Sequence, residues 1–374
     1  MSSGPSGPAS PREQGTWSAP GRVNLIGDHT DYNHGLALPF ALPLRTVVRA
    51  RRRDDGWITA TSAGHDPVSF LLPGAPGEVR GWGCYVAGVA WALASAGFEV
   101  PGADLSISSD VPVGAGLSSS HSLQCGVALA LCGLAGVDPD RTELARLVQR
   151  AENDYVGAPT GLLDQMAVLH SAAGRLSLFD ARDLTVRPVP VDLAAAGLEF
   201  LVIDTRAPHR LVDGAYAERR RSCEAAAERL GLGSLREVAD PEDALARLAD
   251  EPVLQRRARY ILGENARVRQ VVDLVEAGRV AGAGPVLTAS HAAARDDFQN
   301  TVPEVDLAVA TAVSAGALGA RMTGGGFGGS VITLLAPGAR RDVQTAVTTA
   351  YEKAGYARPA FLAVTPARGA GPGE

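Results

Sequence analysis

Lysine is almost missing from this chain. One residue of 374, Lys353, supplies it, against a large surplus of arginine. A Walker A loop requires Gly-Lys, and no such pair exists. The strand lysine of a protein kinase has no candidate either, apart from that one residue near the C-terminus. Cysteine is scarce: Cys84, Cys125, Cys132 and Cys223 show no C-x-x-C spacing, and the first three lie in apolar surroundings. They are expected to be buried free thiols in a reducing compartment. No apolar run approaches the roughly 18 residues of a membrane span, so no membrane association is expected. The opening "MSSGPSGPASPREQG" has no apolar core, which argues against a signal peptide. A disordered tail over residues 1–16 of a cytoplasmic protein is the expectation. A basic footprint is also lacking. Net charge is −6, so nucleic acid is not an expected partner. The run Arg49 to Arg53 meets Asp54 and Asp55 at once and reads as a strand ending in a solvated turn. Repeats of about 20–50 residues are absent, which excludes a solenoid.

What is present is an ordinary globular balance of 46% hydrophobic and 20% charged residues, long enough for about two domains. Leu36 to Arg49, "WITATSAG", "PVSFLLPG" and "ADLSISSDVP" read as strands, and "WGCYVAGVAWALASAG" as a helix closed by Gly97. After a glycine turn and a serine cluster comes an apolar helix. The next starts near Asp140, with Glu143 at capping-box spacing and apolar positions at helical period. "GAPTG" breaks it, and "GLLDQMAVLH" forms a short helix. "RLSLFDARDL" and "LEFLVIDTRA" read as strands. The chain from Ala215 to about residue 317 is mostly helical, followed by two strands around "TGGGFGG" and a last helix. This mixture indicates α+β, with a boundary near residue 190 dividing a domain 17–190 from a domain 191–374.

Three stretches could carry chemistry. "GRVNLIGDHTDYN", from Gly21, crowds Arg22, Asp28, His29 and Asp31 around an apolar pair, Leu25 and Ile26. "PVGAGLSSS", Pro112 to Ser120, lies between a strand and a helix. Such a turn aims backbone N–H groups and the positive end of a helix at one point, a ready anion site. A serine-capped helix after a tight turn is the plainer alternative. "RMTGGGFGGS", from Arg321, matches G-x-G-x-x-G, but a strand follows where a dinucleotide fingerprint needs a helix. Its glycines suit a backbone wrapping closely around a ligand or another loop, or a flexible hairpin. Two carboxylates stand out. Asp164 sits on a nearly all-apolar helix and Glu152 at the edge of an apolar face, so each is either paired or turned toward a cleft.

In order and spacing these three stretches resemble the GHMP sugar kinases, and the first resembles the galactokinase signature. "AENDYVGAPTGLLDQ" and "WGCYVAGV" are similar to further galactokinase segments, so the likeness runs from about residue 17 to 335. The resemblance implies a two-domain GHMP-kinase-like fold with the active site in the cleft between domains. It implies ATP, Mg²⁺ and phosphorylation of the anomeric hydroxyl of galactose, giving galactose 1-phosphate and ADP. Carried onto this chain, Asp164 and Arg22 are catalytic. Asp28, His29, Asp31, Gly161 and Tyr216 join them around the sugar. Gly114, Ala115, Gly116, Leu117, Ser118, Ser119 and Ser120 cradle the triphosphate, and Ser120 with Glu152 binds the metal. A monomer working on small molecules is expected.

Two positions depart from the family pattern: Asp28 stands where Glu is usual, and His121 where Ala is usual. Kinases of N-acetylgalactosamine, galacturonate or L-arabinose remain alternatives, as does a catalytically inactive sugar sensor. Intact Ser118 to Ser120, Glu152 and Asp164 speak against the sensor.

Overall fold

The structure, a computed structural model, describes residues 11–207 and 212–373. Its strands run in chain order as β1 (Gln14–Asn24), β2 (Leu36–Ala37), β3 (Pro39–Arg53), β4 (Trp57–Ser62), β5 (Val68–Leu71), β6 (Gly102–Ser109), β7 (Arg175–Asp180), β8 (Thr185–Pro190), β9 (Glu199–Ala207), β10 (Gly319–Thr323), β11 (Gly329–Leu335), β12 (Ala360–Val364) and β13 (Gly371–Pro372). They form three sheets: β13-β1-β3-β6-β4-β5, β10-β11-β9-β12 and β2-β7-β8. The first sheet belongs to the N-terminal half, except that β13 returns from the far end of the chain to pair with β1. The basic run closes β3 as expected, with Arg51 and Arg53 both ion-paired to Asp104 on the neighbouring β6.

Four helices follow in the N-terminal half: α1 (Gly83–Ser95), α2 (Ser119–Ala135), α3 (Arg141–Arg150) and α4 (Leu163–His170). Asp140 caps α3 by accepting from the backbone N–H of Thr142 and Glu143. The C-terminal half carries α5 (Val212–Leu230), α6 (Pro241–Arg247), α7 (Pro252–Glu276), α8 (Ala283–Ala293), α9 (Pro303–Ser314) and α10 (Arg340–Ala354). Helix α2 is apolar nearly all round because it is buried nearly all round, packed between the first sheet and α1, α3 and α4. A second core joins the halves. Leu25, Ile26 and Phe40 of the N-terminal half pack with Phe200, Val202, Val268 and Ile332, and the rings of Phe40 and Phe200 stack at 5.3 Å. The stretch holding Arg22 and Asp28 is thereby anchored at the junction.

Several expectations need correction. Of the tail expected over 1–16, residues 1–10 lie outside the described residues, but Gln14 to Thr16 begin β1 and pair with Arg51 to Arg49. From Trp17 onward β1 is buried on both faces, so it shows no apolar–polar alternation to read. The strands β8, β12 and β13 were not expected. Two prolines in β8 and the brevity of β13 hide the usual signal. The helix after Asp140 does not simply continue to Tyr155: Ala151–Val156 winds as a π-helical turn, a feature frequent at functional sites.

Candidate active site

The pairing register of β1 with β3 shifts between Pro20 and Arg22, and such an irregularity turns a side chain out of the regular ladder. Gly21 is the unpaired residue there, and Arg22 pairs with Ala41 directly after the break. The Arg22 guanidinium forks onto Asp164, Nε to Oδ1 at 2.7 Å and Nη2 to Oδ2 at 2.8 Å, while Nη1 donates to the Gly116 carbonyl at 2.6 Å. Asp164 stands in the first turn of α4, where the N-terminal end of a helix favours a negative charge. Ser118 donates to its Oδ2 at 2.7 Å. Burial alone pushes the Asp164 pKa up, but Arg22, His121 and the Ser118 hydroxyl outweigh it and hold the carboxyl below its usual range.

A pocket opens beside this pair, and all seven residues expected around a sugar line it: Arg22, Asp28, His29, Asp31, Gly161, Asp164 and Tyr216. Asp31 faces Gly161 so closely that a Cβ there lies 1.7 Å from its Oδ2, and the Leu163 N–H donates to the same oxygen. Burial raises the pKa of Asp31. Asp28 borders the pocket but its oxygens also have protein partners. Oδ1 accepts from Asn24 Nδ2 at 2.7 Å and from the Gly324 N–H at 3.2 Å, and Oδ2 lies 2.7 Å from Nη2 of the fully buried Arg321. Burial raises its pKa, with Arg321 opposing.

His29 uses both ring nitrogens on protein partners. Nε2 meets the Gly325 carbonyl at 2.9 Å and Nδ1 the Tyr32 hydroxyl at 2.8 Å. A carbonyl only accepts, so Nε2 carries the proton and Nδ1 accepts. The ring packs 4.9 Å from that of Tyr216, and its contribution to the pocket is shape. Burial lowers its pKa to about 4. The expected result in a long-range ¹H–¹⁵N NMR titration is a neutral Nε2–H tautomer from pH 8 down to pH 5; protonation between pH 6 and 7 contradicts this geometry. An unfolded His takes up a proton near 6.5, the folded one only near 4. The unfolded state therefore binds more protons in this window, and His29 costs stability progressively as pH falls below 6.5.

The turn before α2 has Gly114 and Gly116 at φ +78° and +73°, and Ser118 at +60° in the left-handed region. A non-glycine residue held there is a mark of functional sites. Gly114, Ser119 and Ser120 also border a second hollow, which Trp82, Tyr85 and His65 line. Glu152, from the π-helical turn, is buried. Its Oε2 lies 2.7 Å from His121 Nε2 and accepts from Thr160 Oγ1 at 2.9 Å and Gln165 Nε2 at 3.4 Å. His121 Nδ1 lies 3.2 Å from Asp164 Oδ2. Burial disfavours the charged ring, but the two carboxylates outweigh it and raise its pKa.

The glycine-rich third stretch clasps the other two. Thr323 exchanges hydrogen bonds with the backbone of Asn24, Ser330 donates to the Ala115 carbonyl at 2.6 Å, and the Gly324 and Gly325 backbones meet Asp28 and His29. It therefore wraps another loop while also lining the pocket. Sequence reasoning missed Thr160, which it read only as part of a helix breaker, and the pair Arg321 and Glu264. Glu264 accepts from the Gly27 N–H at 3.0 Å and from Ser290, and lies 3.5 Å from Arg321. An arginine inside the otherwise small and apolar stretch "GARMT" was the available signal, since a fully buried arginine requires a charged partner.

Comparison with known proteins agrees with this geometry. Residues 9–52 match the galactokinase galactose-binding signature, 84–172 the GHMP kinases N terminal domain and 271–353 the GHMP kinases C terminal. The chain is 48% identical to the galactokinase of Streptomyces coelicolor over 362 residues, covering 96% of this chain and 94% of that one. It is 50% identical to that of Mycobacterium tuberculosis over 356 residues, covering 95% and 98%. The crystal structure of Lactococcus lactis galactokinase complexed with galactose superposes with a TM-score of 0.91 at 34% identity, covering 96% and 95%. A mevalonate kinase at 16% identity and TM-score 0.63, covering 94% and 98%, shares the fold.

Proposed function

The chain belongs to the galactokinase family, and we propose that this pocket is where it transfers the terminal phosphoryl group of ATP to the anomeric hydroxyl of galactose. The observation that carries this reading is the fork between Arg22 and Asp164. One face of the pair borders the pocket, and its other contacts, Gly116 and Ser118, belong to the turn before α2. A sugar hydroxyl in the pocket and a phosphate on the turn meet at this pair.

The roles follow from the chemistry. Asp164 accepts a hydrogen bond from the reacting hydroxyl and orients it in line with the phosphate. Its depressed pKa makes it a weak base, so the proton leaves late, once the new bond to phosphorus has made the hydroxyl acidic. Arg22 keeps Asp164 ionised and stabilises charge developing on the transferred group. Asp31, beside Gly161, receives sugar hydroxyls directly. Asp28 faces the hydroxymethyl end, while His29 and Tyr216 form a wall. Gly114 to Ser120 offer backbone N–H groups and the N-terminus of α2 to the phosphates. The hollow beside them, with Trp82 and Tyr85, suits the flat adenine ring.

Mg²⁺ fits the donors present. Among the described residues there is no group of three or more His, Cys, Asp or Glu able to hold a metal. Mg²⁺ commonly binds through one or two protein oxygens plus substrate phosphates, and the Ser120 hydroxyl and the Glu152 carboxylate supply such oxygens. Bound there, the ion would neutralise charge on the phosphates. We further propose two domains dividing near residue 190, supported by the sheets of the two halves, which are separate apart from β13 on β1, and a monomer acting in the cytoplasm. Among the described residues no helix is long and apolar enough to cross a membrane.

A coupled ADP-release assay over a panel of sugars tests the reading. Galactose is expected to give the highest kcat/KM, above N-acetylgalactosamine, galacturonate and L-arabinose. A higher value for any of these reassigns the substrate, and no sugar-dependent ADP release at all points to the inactive sensor.

A further inference from the structure

Ser118 immediately precedes α2, the position where a serine ordinarily accepts a hydrogen bond from the first backbone N–H groups of a helix. Here it does not. Its side chain makes no capping hydrogen bond, and its backbone sits at φ 60° and ψ 44°, a left-handed conformation that a residue with a Cβ adopts only at a cost. The hydroxyl instead donates across the fold to Asp164 Oδ2 at 2.7 Å. The plainer alternative of a serine-capped helix is thereby set aside. The rest of the turn grips Arg22, the partner of Asp164. The Gly116 carbonyl accepts from Arg22 Nη1 at 2.6 Å, and the Leu117 carbonyl from the Arg22 backbone N–H at 3.1 Å. Gly116, Leu117 and Ser118 thus hold the arginine and the carboxylate together.

The two oxygens of Asp164 are not equally engaged. A carboxylate oxygen offers about two acceptor sites. Oδ2 accepts from Arg22 Nη2 at 2.8 Å and from the Ser118 hydroxyl, so both of its sites are taken. Oδ1 accepts from Arg22 Nε at 2.7 Å and keeps one site open. We propose that Ser118 is a positioning residue for Asp164, whose hydroxyl fills Oδ2 and leaves Oδ1 to receive the reacting hydroxyl of the sugar. This deepens the proposed function and rests on its assignment of Asp164 as the acceptor of that hydroxyl. The side chain of Ser118 then serves the base and not the triphosphate. The backbone N–H groups that it leaves uncapped at the start of α2 stay available to phosphate.

The test separates the chemical step from binding in the full-length enzyme. Ser118→Ala and Ser118→Gly both remove the hydroxyl, and glycine also suits the left-handed backbone. Each is expected to lower the rate of single-turnover phosphorylation by about tenfold or more, the size of a lost hydrogen bond to a charged group. The calorimetric Kd of galactose, and that of a non-hydrolysable ATP analogue with Mg²⁺, are expected to stay within about threefold of wild type. Added to Asp164→Asn, either substitution should cost little further rate, because the charge that the hydroxyl orients is already gone. A rate within about threefold of wild type in Ser118→Gly overturns the proposal. So does an analogue Kd that rises as much as the rate falls, which returns the hydroxyl to the triphosphate, and so does full additivity with Asp164→Asn. Should Ser118→Ala fail to fold, Ser118→Gly decides each of these points. A wild-type rate in Asp164→Asn alone overturns instead the assignment on which the proposal stands.

Discussion

Asp164→Asn is expected to lower turnover by about 10²–10⁴-fold, the usual range for losing a general base, while galactose still binds. Asn keeps the shape and one carbonyl acceptor but gives up the charge. Three groups now converge on that charge: the Arg22 fork, the Ser118 hydroxyl and the His121 ring. The side chain of Arg22 is only 7% exposed. Without Asp164 its guanidinium is left partly buried with half a partner, a loss of about 1–3 kcal/mol in stability. Turnover and folding are therefore read separately: galactose affinity and thermal midpoint show that the variant is intact, and single-turnover phosphorylation shows the chemical step. A rate within threefold of wild type removes Asp164 from the mechanism. The acid dependence gives a second reading. The folded pKa lies below the free value of 3.8, so the stabilisation by ionised Asp164 is complete above 3.8 and is lost as pH falls through the lower folded value. The Asn variant should lack this component of acid sensitivity.

The residues that could be read from the sequence are those whose local surroundings contradict them. Asp164 was conspicuous because its helix is otherwise apolar, and Ser118 to Ser120 because a glycine turn precedes them and a helix follows. The helices were legible for a related reason: caps such as Asp140, closing glycines such as Gly97 and apolar period are local signals. What stayed hidden depends on contacts between distant segments. Nothing near Asp28 announces that Arg321, from the other half of the chain, closes on its carboxylate. His121 was visible only as an oddity next to the serines. Its position between Glu152 and Asp164 exists once α2, α4 and the π-helical turn are packed together. The same holds for β1, whose pairing with β3 and β13 comes from both ends of the chain. The glycines of the third stretch left two readings open, ligand or loop, because a close backbone approach looks alike in either case.

Gly161→Ala is expected to weaken galactose binding by about 10- to 150-fold with little change in ATP binding. The cause is a single close approach. A Cβ on Gly161 falls 1.7 Å from Asp31 Oδ2 and 2.4 Å from its Cγ, far inside van der Waals contact. Relief requires Asp31 to rotate away or the 158–162 segment to retreat. Rotation is hindered because Asp31 accepts from the Leu163 N–H and is half-buried in the pocket beside Gly161. Retreat moves the N-terminal end of α4 and shifts Asp164 with it. Either way the proposed sugar-binding carboxylate leaves its place, and a hydrogen bond to a charged group is worth about 1.5–3 kcal/mol, which sets the expected range. The effect should appear in the galactose Kd by calorimetry, and in KM more than in kcat if Asp31 rotates. A double-variant cycle identifies the route. If the methyl acts through Asp31, then adding Gly161→Ala to Asp31→Ala costs little further, because the group it would displace is already gone. Full additivity of the two losses shows that Gly161 serves the site by some path other than Asp31, and a galactose Kd within threefold of wild type in the single variant removes this contact from sugar recognition.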